Sequence, residues 1–206
     1  SIVARRLCDA RQGRGRVGVV LRAPSVEYRV QLTMDRGWVT VDNPAKFPDV
    51  GEIEAIEEPW VKLGIVTPDR YIGSLMELTT GRRGSFENME YLDPQRVHMH
   101  FELPLAELIV DYYDQLKSRT QGYASLDYEP SAYRRSNLVK VDILLNAVPV
   151  DAFSMIVHKD KAYSYGQRMT DKLKELIPRQ LFDVPIQAAI GGRIIARETV
   201  KAKRKD

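Results

Sequence analysis

Between Pro59 and Tyr133 the spacing of apolar residues passes twice from period two to the helical period and back. That order constrains the fold more than any other feature of the chain. Val61, Leu63 and Ile65 alternate along one face of a strand. Thr67-Pro68-Asp69 then reads as a helix start with proline at the first helical position, followed by Ile72, Leu75 and Met76 at helical spacing and stopped by Gly84. Phe86–Leu92 and Val97–Leu103 read as strands on either side of Asp93-Pro94, with Val97, Met99, Phe101 and Leu103 on one face. Leu105, Leu108, Ile109, Tyr112 and Leu116 predict a second amphipathic helix, and a last strand passes through Leu126 and Tyr128. The order βαββαβ is the split-βαβ, ferredoxin-like arrangement, so the fold class is α+β.

The flanks are read around this unit. Residues 1–57 hold a short helical stretch from Ile2 to about Ala10, then extended segments at Val17–Leu21, Val26–Thr33 and Trp38–Val41, with Asp35–Gly37 as a turn. These are too few elements to close a core alone, so the stretch reads as the end of a larger domain, with 58–135 as the ferredoxin-like unit. The remainder, 136–206, reads as a smaller α+β unit. Val139, Val141, Ile143 and Leu145 alternate, Asn146–Pro149 turns, and Asp160 caps a helix that buries Ala162, Met169, Leu173, Leu176 and Ile177 and stops at Pro178. Ile186–Ile190 and Ile194–Val200 form a hairpin around Gly191-Gly192.

Chemistry is sparse in this sequence. A lone Cys8 excludes an internal disulfide and any cysteine-based zinc cluster. No apolar run approaches the ~20 residues of a membrane span. Gly13-Arg14-Gly15-Arg16-Val17-Gly18 matches G-x-G-x-x-G, but a strand follows it where a dinucleotide site needs a helix N-terminus. G-x-x-x-x-G-K-[ST] is absent, so the chain holds no P-loop. His98 and His100, at i and i+2, project from one strand face and would need a third ligand such as Glu90 or Glu102 to bind a metal; an ordinary solvated face is the favoured reading. Glu107, Asp111 and Asp114 likewise read as the solvated side of their helix. The expectation is therefore no catalytic residue, no cofactor site and no metal site.

Charge is the informative property. Residues 1–22 carry a net +5 and residues 193–206 a net +4, around a centre of −6. His158, Lys159, Lys161 and Arg168 gather at the start of the last helix, and Arg193, Arg197, Lys201, Lys203 and Arg204 on or beyond the hairpin, with Arg193 and Arg197 expected on one strand face. Such groups suit phosphate contacts. Only Tyr163 and Tyr165 interleave with them, which favours structured RNA over stacked single strands. Two other readings stand beside this one: a structural interdomain module without RNA affinity, and a small ferredoxin-like hydrolase.

The same residues carry a family likeness. Glu58-Pro59-Trp60-Val61-Lys62, Val66-Thr67-Pro68-Asp69-Arg70-Tyr71-Ile72-Gly73, Arg82-Arg83-Gly84 and Leu103-Pro104-Leu105-Ala106-Glu107 resemble the fifth domain of translational GTPases of the elongation factor G type. Leu138–Asn146, Pro149-Val150-Asp151-Ala152, Ile156-Val157-His158-Lys159-Asp160-Lys161, Leu176-Ile177-Pro178-Arg179-Gln180 and Ile195-Ala196-Arg197-Glu198-Thr199-Val200-Lys201 resemble the C-terminal domain peculiar to the elongation factor 4, or LepA, family. Ala147 stands where that family usually has glycine. The resemblance implies a C-terminal fragment of a ribosome-dependent GTP hydrolase. The GTP and magnesium of that parent would lie in an N-terminal domain outside this chain. It implies a parent that back-translocates or remodels stalled ribosomes and supports fidelity. The implied partners are large-subunit rRNA with the GTPase-associated centre, and the P-site tRNA. DNA is not among them. The implied place is the cytoplasm or an organelle matrix, with peripheral association at an inner membrane.

Overall fold

The computed structural model describes residues 26–203, and the extended reading of Val17–Leu21, the helix at Ile2, the glycine motif at Gly13 and the cation Arg204 lie outside the described residues. Eleven strands in the described residues make two antiparallel sheets. The first is built on β3, Ile53–Pro68, in which Ile56 and Glu58 are buried before an irregularity at Pro59-Trp60 and Val61, Leu63, Ile65 and Thr67 are buried after it. Its early part pairs with β1 (Tyr28–Leu32), which pairs in turn with β2 (Trp38–Val41). Its later part pairs on one edge with β5 (Arg96–Pro104), itself paired to β4 (Ser85–Asp93), and on the other edge with β6 (Ser125–Arg135). The order β6-β3-β5-β4 is that of a split-βαβ sheet.

Two helical segments cover one face of this sheet. A 3₁₀ turn at Asp69–Tyr71 leads into α1, Ile72–Thr80, so Pro68 closes the strand rather than opening the helix. The helix ends earlier than Gly84. Arg83 adopts a left-handed φ of 64°, its N–H donates to the Thr80 carbonyl at 3.2 Å, and Gly84 N–H donates to the Thr79 carbonyl at 3.0 Å. This is a Schellman closure with arginine in the position glycine usually takes. A side chain on Gly84 would meet the Thr79 carbonyl oxygen at 2.7 Å, so only glycine fits directly after it.

The second helix is not continuous. It breaks into α2 (Leu105–Ile109) and α3 (Tyr112–Arg119), with Val110 extended and Asp111 left-handed at φ 48°. The cause is a side chain from elsewhere: Arg82 donates to the Val110 carbonyl at 2.6 Å and to Asp111 Oδ1 at 2.7 Å, which ends α2 from outside. The apolar period survives the break. Leu108, Tyr112 and Leu116 remain buried with Val97, Met99, Phe101 and Leu103, and the Tyr112 hydroxyl is hydrogen-bonded to Thr79 Oγ1 at 2.7 Å in that core. Burial pushes the Tyr112 phenol above its ordinary pKa, partly offset by the Thr79 hydrogen bond and by Arg82.

The second sheet runs β11-β10-β7, with β8 and β9 along the outer edge of β7. Its strands are β7 (Leu138–Leu145), β8 (Val148–Pro149), β9 (Met155–His158), β10 (Val184–Ile190) and β11 (Arg193–Val200). The β7–β8 turn places Asn146 at φ 51° and Ala147 at φ 64°, so Ala147 adopts a left-handed backbone that favours glycine. One face is packed by α4, Lys159–Leu176, whose buried side is Ala162, Gly166, Thr170 and Leu173, while Leu176 is 67% exposed and outside that core. The cap of α4 is His158, whose Nδ1 accepts from Asp160 N–H at 3.3 Å; Asp160 itself lies in the first turn.

A third apolar cluster joins the two sheets. Tyr28, Val30 and Val41 from the first two strands and Ile56 of β3 pack with Leu138 and Ile156 of the second sheet.

Candidate nucleic-acid interface

Beside this junction a cleft of about 670 Å³ opens between α1, α2 and α4. Its walls hold five cationic side chains, Arg82, Arg83, Lys161, Arg168 and Lys172, and three carboxylates, Glu58, Glu107 and Asp111. The carboxylates are all taken. Arg83 makes a bidentate pair with Glu58 (Nη1–Oε1 2.5 Å, Nη2–Oε2 3.2 Å), and its Nε donates to Glu107 Oε1 at 3.3 Å. Lys161 Nζ donates to both Glu107 oxygens at 2.9 Å, and Arg82 holds Asp111.

The chain Glu58–Arg83–Glu107–Lys161 thus runs from β3 through the α1 terminus and α2 into α4. Glu58 is only 1% exposed, and a carboxylate so buried requires a partner of this kind. Burial pulls the Arg83 pKa down. The hydrogen bond and charge of Glu58, then those of Glu107, outweigh it and leave the guanidinium held above its ordinary value. These contacts also retain arginine in the left-handed position, a conformation that costs about 1–2 kcal/mol in other residues than glycine. Glu107, expected as a solvated group, is therefore a structural anion, whereas Asp111 is exposed as expected although it is paired with Arg82. Their partners lie 24 to 54 residues away in sequence, where no local spacing reveals them.

The cleft's remaining cations have no acidic partner among the described residues. Arg168 Nε donates to the Ser164 carbonyl at 3.2 Å, its other contact being the field it exerts on Tyr165. The Tyr165 phenol is pushed up by burial and eased back by that arginine. Lys172, one turn beyond Arg168, lines the same wall. Sequence reasoning passed over Lys172, although its i+4 relation to Arg168 was available as a signal.

The other basic residues separate into two groups. Lys201 pairs with Asp183 at 3.3 Å, and His158 is committed as the α4 cap, with its ring near Asp160. Asp183 is held below the usual carboxylate range by the Ala202 N–H and then by Lys201. Lys159, Arg193, Arg197 and Lys203 are exposed, with no ion pair among the described residues.

Arg193 and Arg197 do not share a face. Ala188 pairs with Ala196 but Ala189 pairs with Ile194, so Ile195 is an extra residue in β11. Arg193 stands opposite Ile190 and Arg197 opposite Gln187, and those two β10 residues lie on opposite sides of the sheet. Arg193 belongs to the α4 side and Arg197 to the other. No helix in the described residues is long and apolar enough to cross a membrane.

Comparison with known proteins gives this architecture its class. Residues 55–144 match the sequence profile of the elongation factor G C-terminus, and residues 145–206 match that of the C-terminus of the GTP-binding protein LepA. The mixed α+β chain thus carries the C-terminal domains of a translational elongation factor. Elongation factor 4 of Desulfitobacterium hafniense is 55% identical over 92% of this chain, that of Thermobifida fusca 58% and that of Streptococcus thermophilus 54% over the same share. The chain belongs to the elongation factor 4 family, and it spans 31% of the length of these relatives.

Proposed function

We propose that this chain is an RNA-contacting part of a ribosome-dependent GTPase, and that α4 with the adjoining hairpin lies against the phosphate backbone of structured RNA. The supporting observation is the pairing pattern of the cleft: every carboxylate is already bonded, yet Arg168 and Lys172 project into it without an acidic partner among the described residues. Lys159, at the start of α4, and Arg193, at the start of β11, are further exposed cations with no ion pair among the described residues. Cations fixed on a helix and a sheet, with few aromatics among them, suit shape and phosphate recognition.

On this reading GTP hydrolysis and its magnesium belong to another domain of the parent. The present residues position that parent on large-subunit rRNA and on tRNA during back-translocation or remodelling of a stalled ribosome. The chain of ion pairs from Glu58 to Lys161 favours a second role alongside the first, in which the junction holds the two sheets as one lever so that a nucleotide-dependent movement reaches the RNA-facing helix.

Fluorescence anisotropy of a labelled folded tRNA, against an unstructured RNA of equal length, tests the proposal. Preferential binding of the tRNA, with log K falling steeply against log salt, is the expected result. Equal or absent binding would leave the chain as a positioning scaffold.

A further inference from the structure

The open face of the first sheet, remote from the cleft, carries a second arrangement. His98 and His100 project together from β5, and the β4 residue directly opposite His98 is Glu90. Glu90 Oε1 lies 3.4 Å from His98 Nδ1 and 3.6 Å from His100 Nε2. One ligand atom from each of the three side chains falls within 4.8 Å of the others. We propose that Glu90, His98 and His100 form a binding site for a divalent transition-metal ion of the zinc class.

Three observations carry this. The nitrogen–oxygen separations exceed the 2.7–3.2 Å of an ordinary hydrogen bond, so both rings point at one carboxylate oxygen without bonding to it. Ligand bonds of 2.0–2.2 Å at tetrahedral angles set neighbouring donor atoms about 3.4 Å apart, and the two nitrogen–oxygen separations, 3.4 and 3.6 Å, are close to it. The floor of the site is also shaped for the rings. Gly64 stands opposite His100, and a side chain there would meet His98 Nε2 at 2.8 Å, so glycine leaves the space that the imidazoles occupy.

The surroundings agree. Glu87, Asp127 and Glu129 outnumber Lys62 in the lining of the same concavity, about 350 Å³, and give it a field that attracts cations. Glu102, the other carboxylate near the pair in sequence, is bonded to Arg134 and Ser131 and is not available as a ligand. Two imidazoles and one carboxylate select zinc, nickel or copper over magnesium and calcium, and three protein ligands leave a position for water or for a donor from a partner.

The test is titration of the metal-free 206-residue chain with cobalt(II), followed by its visible absorption and by displacement with zinc. One saturable ion per chain is expected. Affinity should fall at least ~10-fold in His98→Gln and in His100→Gln, and zinc should raise the melting temperature of the parent chain but not of these variants. Glu90→Gln changes a side chain that is 65% exposed, so it carries the test if a histidine variant folds poorly. Absence of saturable binding at millimolar cobalt, or equal binding by the parent and a His98→Gln/His100→Gln double variant, would overturn the proposal.

Discussion

Two sets of cations line one cleft and have opposite fates. Arg83 and Lys161 are bound to Glu58 and Glu107, and together they span the junction between the sheets. Arg168 and Lys172, two and three turns further along the helix that bears Lys161, have no acidic partner among the described residues. Residue type does not distinguish the sets. What separates them is whether the chain supplies an anion at the right distance. A cation whose counter-charge lies within the fold is part of its architecture, and one without it is available to a polyanion.

The largest effect should come from breaking the first set. Arg83→Ala leaves the Glu58 carboxylate buried and unpaired, and should cost about 3–5 kcal/mol in urea unfolding. A loss below about 1 kcal/mol would mean that the pair is not structural.

Alkaline unfolding probes the buried phenols of the junction and of the first sheet's core. Burial, reinforced by Glu58, pushes the Tyr28 phenol far above its ordinary value, and burial also raises Tyr112. Their contribution is complete below about pH 10, where unfolded tyrosines begin to ionise. It is lost as pH rises toward the folded values, by at most ~1.4 kcal/mol per pH unit for each phenol. Absorbance at alkaline pH should show these two phenols ionising later than tyrosine in the unfolded chain.

Lys161→Ala sharpens the comparison within the first set. The Lys161 side chain is 40% exposed, so its removal should cost roughly 1 kcal/mol or less, well under the Arg83 loss. The smallest stability change belongs to the second set: Arg168→Ala/Lys172→Ala should unfold within about 0.5 kcal/mol of the parent.

The strands were legible because alternation is local. Val97, Met99, Phe101 and Leu103 lie on one buried face, as their spacing indicates. The break between α2 and α3 was not, since Leu108, Tyr112 and Leu116 keep helical spacing across it and the cause is Arg82 reaching in from another element. Arg193 and Arg197 look like neighbours on a strand until an extra residue reverses the face between them, and no side chain announces that bulge. Much of the candidate interface was visible as charge. Which charges are free was not, because Lys161 finds Glu107 across 54 residues of sequence while Arg168 finds no carboxylate.

The central claim is that the unpaired cations of α4 contact phosphates and the paired ones do not. The most direct test is the salt dependence of tRNA affinity for the parent chain, Arg168→Ala/Lys172→Ala and Lys161→Ala. Each phosphate contact contributes ~0.7–0.9 to the slope of log K against log salt. The double variant should therefore lose about 1.4–1.8 from that slope, and Lys161→Ala should leave it unchanged. An unaltered slope in the double variant, or an equal loss in Lys161→Ala, would contradict the account.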